Sequence, residues 1–174
     1  MIQIEYKGDL YRRYGSKWVD YRNFVVHSAL QDELNHVYVN NVDLESLTLP
    51  ELIYEGDKYK ESSSYSIAIR FYREALVYAD ADEVRYILPR ITSCYRKTNY
   101  PDLAIHLFSL VKKKYSAQIM NSALLTSAAA AYCDMREYKN ALICARKAYA
   151  KAGGKADENL KGVFERIKHE SGLI

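Results

Sequence analysis

At 174 residues, 49% of them apolar and 27% charged, the chain is long enough to bury a core and too hydrophobic to remain disordered. A formal charge of +3 and a pI of 8.6 fall short of the concentrated basic character of a dedicated nucleic-acid binder. Cys94, Cys133 and Cys144 form no closely spaced pair, Met1 to Glu5 lacks a secretory pattern, and no apolar run approaches the ~20 residues of a membrane helix, so a soluble cytoplasmic protein is expected.

Ile2, Ile4 and Tyr6 alternate with Gln3 and Glu5, the period of a half-buried strand. Turn signals at Lys7-Gly8-Asp9 and Gly15-Ser16 bracket Leu10 to Tyr14, and Lys17-Trp18-Val19 begins a third extended piece. A small hairpin or three-stranded meander follows. So few strands cannot bury enough surface alone, so Trp18, Tyr14 and Phe24 should pack on a helix. Ser28, with Gln31 three residues later, has the spacing of a reciprocal helix cap, and Leu30, Leu34, Val37 and Tyr38 then mark one face of a helix over about 29–39.

Thr48-Leu49-Pro50-Glu51 combines a capping hydroxyl, a proline in the first turn and an acid three residues after the cap. From there helices are predicted over about 49–61, 64–79, 82–97, 100–114, 120–134, 137–152 and 156–170, separated by residues that leave helix at little cost. Pro89 lies inside the third of these and removes a backbone donor, which predicts a kink or a later start.

One spacing recurs three times across this region. Leu52, Gly56, Tyr59, Ala68, Tyr72 and Ala75 return as Leu88, Thr92, Tyr95, Ala104, Phe108 and Val111, then as Leu125, Ala129, Tyr132, Ala141, Ala145 and Ala148, at offsets of 36 and 37 residues. Such a period signals stacked helical hairpins, because a single hairpin cannot bury its apolar face without a neighbour. The small residues let two helix backbones approach, and the large ones fill the space between hairpins. The expected fold is therefore all-α, a stack of antiparallel hairpins, with residues 1–48 as a β element plus helix. Residues 49–174 form three repeats, about 49–82, 83–119 and 120–153, and a closing helix in which Leu160, Phe164 and Ile167 share a face.

These columns resemble the tetratricopeptide repeat, although the usual repeat is 34 residues, opens on Trp and closes on Pro, where this chain has Asp80, Ser116 and Gly153. The resemblance implies that the hairpins wind into a right-handed superhelical stack, and that the protein is a non-catalytic scaffold that holds a protein or peptide on the concave face formed by the first helix of each repeat. By column it places Ile53, Asp57, Lys60, Tyr86, Arg90, Ser93, Lys97, Thr126, Ala130 and Cys133 on that face. Family members that dock chaperone C-termini use a lysine and an asparagine where this chain has Ile53 and Asp57, so that mode is not expected. A ligand-sensing or nucleic-acid-associated regulatory subunit is the alternative reading.

Arg90 and Lys97 lie two turns apart and should form a modest cationic strip, with a solvated helix face as the simpler explanation. Lys112-Lys113-Lys114 suits a helix C-terminus, where the dipole favours cations. Glu33-Leu34-Asn35-His36 has the Glu-x-x-His spacing of carboxylate-bridged metal centres, which need two such motifs, and only one is present. With no phosphate loop or nucleophile motif, neither a metal, a cofactor nor a catalytic residue is expected. The interleaved Tyr11, Arg12, Arg13, Tyr14 and Trp18 can stack bases, but in a short hairpin such residues more commonly pack across strands.

Overall fold

The computed structural model describes residues 2–15, 17–115 and 119–172. Ser16 of the second predicted turn and Ser116 of the second repeat boundary lie outside them. The chain forms two compact units, Met1–Leu47 and Thr48–Ile174.

In the first unit, β1 (Ile2–Tyr6), β2 (Asp9–Tyr14) and β3 (Lys17–Val19) form the expected antiparallel meander, in that order. Helix α1 (Ser28–Asn41) packs on β1 and β3. Trp18 is fully buried, donates Nε1–H to Asn35 Oδ1 at 3.0 Å and meets the Tyr38 ring edge-on at 6.0 Å. The buried Arg13 guanidinium sits 5.7 Å from the Trp18 ring and 4.8 Å from that of Tyr38, so the Arg and aromatic residues do pack across strand and helix. Two expectations differ here. Tyr14 and Phe24 are 50% and 68% exposed; Tyr14 follows the buried Arg13 on β2 and so takes the opposite face of the sheet, and Phe24 lies in the loop after β3. His27, not Ser28, caps α1, its Nδ1 accepting from the Leu30 amide at 3.3 Å. Gln31 is used elsewhere: its side chain accepts from the Trp18 amide and donates to the Trp18 carbonyl, both at 2.8 Å, prolonging the sheet edge as a backbone would.

In the second unit, Thr48 starts α2 (Leu49–Glu61) as its sequence requires, giving both its amide and its hydroxyl to the Glu51 carboxylate at 2.8 and 2.7 Å. There follow α3 (Tyr65–Tyr78), α4 (Ala81–Lys97), α5 (Pro101–Tyr115), α6 (Ser122–Asp134), α7 (Tyr138–Lys151) and α8 (Glu158–Ser171). Asp80 caps α4 by accepting from the Asp82 and Glu83 amides, so the helix does not start later and runs through Pro89. Each repeat is an antiparallel pair, α2 with α3, α4 with α5 and α6 with α7, and α4 packs on α3 and α6. Helix α8 packs on α6 and α7, where a further repeat would otherwise be needed to cover them.

The repeat also holds at the level of the backbone. Ser63, Asn99 and Arg136 adopt φ of 60°, 64° and 58° at the turn of each hairpin. In each case the next amide returns to the carbonyl of the tyrosine that recurs in all three repeats: Ser64 to Tyr59 and Tyr100 to Tyr95 at 2.8 Å, and Glu137 to Tyr132 at 2.9 Å. This left-handed closure satisfies carbonyls that the helix end leaves open and fixes the angle at which the second helix folds back.

Ala68, Ala104, Ala129 and Ala141 are fully buried between helices, as the spacing demands. Gly56 shows why its column is small, since a Cβ there would lie 2.5 Å from Tyr72 Cε1. Leu52, Tyr59, Tyr72 and Tyr95 are buried, whereas Phe108 and Tyr132 are only partly covered. On α8 it is Val163, with Leu160 and Ile167, that faces the core, and Phe164 stands at its edge against Tyr149.

Candidate functional site

The first helices of the repeats, α2, α4 and α6, together with the start of α8, bound a cavity of about 600 Å³. Helical spacing of three and four residues brings Arg90, Ser93 and Arg96 of α4 to its wall, with Ala123, Thr126 and Ala130 of α6 opposite. Lys60 contributes from α2, and Asp157, Glu158 and Val163 from the beginning of α8.

Two carboxylates beside this cavity organise its cations. Asp57 accepts from the Tyr72 hydroxyl at 2.5 Å, the Tyr86 hydroxyl at 2.6 Å and Arg90 Nε at 3.1 Å. Arg90 in turn lies 3.4 Å from the centroid of the Tyr86 ring and donates to the Tyr86 carbonyl at 2.9 Å. Burial, followed by the hydrogen bond to Asp57, pushes the Tyr72 phenol far up; for Tyr86 the hydrogen bond is the larger cause. Both therefore remain neutral donors at physiological pH. Asp134, at the end of α6, accepts from Arg96 Nε at 2.5 Å and also from Arg166 Nη1. Burial alone would raise its carboxyl, but the two guanidiniums outweigh that and hold it below the usual range. Arg166 continues to Glu170 at 2.8 Å, which also accepts from the Tyr138 hydroxyl at 2.8 Å.

Of the residues placed on the inner face from sequence, Lys60, Arg90, Ser93, Thr126 and Ala130 line the cavity. Asp57 and Tyr86 flank it through Arg90, Lys97 is exposed and outside the lining, and Cys133 is buried in the core. Arg90 is thus an ion-paired, stacked side chain and not part of a free cationic strip. Among the described residues Lys60 has no carboxylate partner, and Thr126 Oγ1 is buried without a hydrogen bond. Column reasoning missed Arg96, Asp134 and Arg166. Arg96 and Lys97 follow Ser93 by three and four residues, so both are allowed on one face and only the packing of α4 separates them.

Among the described residues no three His, Cys, Asp or Glu side chains gather as metal ligands. Glu33 of the Glu-x-x-His motif accepts from the Tyr6 hydroxyl at 2.8 Å and Lys7 Nζ at 3.1 Å. All three cysteines are free, and burial pushes each thiol up, Cys94 to about 11. Among the described residues no helix is long and apolar enough to cross a membrane.

Stacked hairpins, a closing helix and a cavity on the first-helix face define a tetratricopeptide-like helical-repeat fold. Among solved structures the chain is similar to the Sgt2 TPR domain from Aspergillus fumigatus, with a TM-score of 0.58 and 24% identity over 70% of this chain and 78% of that one. No protein-family model matches the chain, and no curated protein does.

Proposed function

We propose that the protein is a non-catalytic cytoplasmic interaction scaffold that holds a peptide segment of a partner protein in the cavity between α2, α4, α6 and α8. The observation that carries this reading is the character of the cavity wall. It is open, about 600 Å³ in volume, and mixes small apolar residues with Ser93, Thr126, the acids Asp157 and Glu158, and Lys60, which has no carboxylate partner among the described residues, a surface suited to backbone and side-chain contacts along a peptide. Its arginines are pre-positioned by Asp57 and Asp134, so little side-chain ordering remains to be done on binding. Among the described residues, no serine of the wall is hydrogen-bonded to a base. Three free thiols fit a reducing compartment.

The test is selection of binding peptides from a random library with the full chain, followed by affinity measurements on variants. Ala123→Trp, at an exposed cavity position, and Lys60→Glu should each weaken the selected peptides at least tenfold while leaving the melting temperature unchanged. Peptides that bind Ala123→Trp as tightly as the parent chain would place the binding surface elsewhere.

A further inference from the structure

A second cavity, of about 470 Å³, shares no residue with the first and lies along the second helices of the last two repeats. Its floor is apolar: Phe108 of α5, Met120, Leu125 of α6 and Cys144 of α7. Its rim is cationic, with Lys112 from α5 and Lys147 and Lys151 from α7, so that ammonium groups are supplied from both walls. Among the described residues none of the three has a carboxylate partner, and no acidic residue lines the cavity.

Local structure does not account for this arrangement. Lys112 and Lys151 lie in the last turns of their helices, where the dipole favours a cation. Lys147 lies a turn earlier and gains nothing from it. It also stands four residues from Lys151, a like-charge spacing that opposes the helix. The Cys144 thiol is pushed up by burial, against the pull of Lys147 and Lys112, which places both charges within electrostatic reach of the floor. Lysine stems lying along such a wall extend its apolar surface and leave their charges at the mouth. Unneutralised cations beside a low-dielectric floor focus a positive field there.

We propose that this slot binds a small amphiphilic carboxylate, an aliphatic chain of medium length whose carboxylate is met at the mouth by lysines from α5 and α7. The volume lies within the range of small-molecule sites, roughly 300–1,000 Å³. The separation of an apolar floor from a purely cationic rim matches a ligand that is itself divided into tail and head.

Sodium decanoate is the probe, titrated calorimetrically into the full chain at low salt, with decanol and an acidic leucine-containing peptide in parallel. Decanoate should bind saturably at one site, decanol at least tenfold more weakly, and added salt should weaken decanoate. Lys147→Glu with Lys151→Glu should reduce decanoate affinity at least tenfold. Ala150→Trp, at an exposed lining position, should abolish it while peptide capture by the first cavity and the melting temperature are retained. Absence of saturable decanoate binding, or binding unchanged in Ala150→Trp, overturns the proposal. Capture of the acidic peptide in place of decanoate overturns it in favour of protein docking.

Discussion

Asp57 and Asp134 occupy corresponding roles in neighbouring parts of the repeat stack, yet they work with different partners. Asp57 ties α2 to α3 and α4 with two phenols and one guanidinium, whereas Asp134 ties α6 to α4 and α8 with two guanidiniums. In the first case the aromatic rings do most of the packing and the carboxylate orients them. In the second the carboxylate is itself the link, since Arg96 and Arg166 would repel one another without it. A solenoid can therefore join successive hairpins by shape or by charge, and the two joints should fail under different insults.

The largest effect should come from the shape joint. Tyr72 is fully buried, its ring fills the space that Gly56 leaves open, and its hydroxyl reaches Asp57. Tyr72→Ala should destabilise by about 3–5 kcal/mol, the cost of emptying a large buried aromatic site. Tyr72→Phe keeps the ring and loses one hydrogen bond to a charged acceptor, about 1.5–3 kcal/mol at most. Denaturant melts of the two variants separate ring from hydroxyl. If Phe cost as much as Ala, the carboxylate would be the dominant part of this joint after all.

The charge joint comes next. Asp134→Asn should destabilise by about 2 kcal/mol, less than the 3–5 of a fully buried broken pair because all three side chains keep some contact with solvent. Its signature is pH. The folded carboxyl lies below its unfolded value, so its contribution is complete above the unfolded pKa, about 3.9, and is lost as pH falls through the lower folded pKa. The stability gap between parent and Asp134→Asn should stay constant from about pH 8 to pH 5 and close below about pH 4, where the parent alone loses the term. A gap that persisted into acid would show that the variant suffers from packing, not from lost charge.

How far these joints could be read from the sequence follows from their range. Buried Ala68 and Ala104, the small Gly56 and the tyrosines of the hairpin turns repeat at a fixed offset, so the fold is written several times over and one misread position does not spoil it. The Thr48 and Asp80 caps are local and equally legible. The errors fall where a side chain serves a distant partner. Gln31 has the spacing of a cap but bonds the Trp18 backbone, and Tyr14 looks like a core residue although its neighbour Arg13 takes the buried face of β2. Asp134 meets Arg96 and Arg166 across 38 and 32 residues, a pairing that no helical period announces.

The smallest predicted effect isolates that last kind of information. Arg96 and Lys97 are adjacent, similarly charged and equally compatible with the inner face of α4 by spacing. Arg96 lines the first cavity and is paired with Asp134; Lys97 is exposed and lies outside the lining. Arg96→Ala should cost about 1 kcal/mol, since Arg166 still satisfies Asp134 and the lost pair, although joined by two hydrogen bonds, is partly screened by solvent. Lys97→Ala should stay within about ±0.5 kcal/mol, as for a surface position with no special feature. Double-mutant cycles with Asp134→Asn sharpen the contrast, because Arg96 should couple to it and Lys97 should add independently. Equal coupling for the two residues would mean that α4 has no fixed rotational setting in solution, and that Asp134 takes whichever cation is nearer.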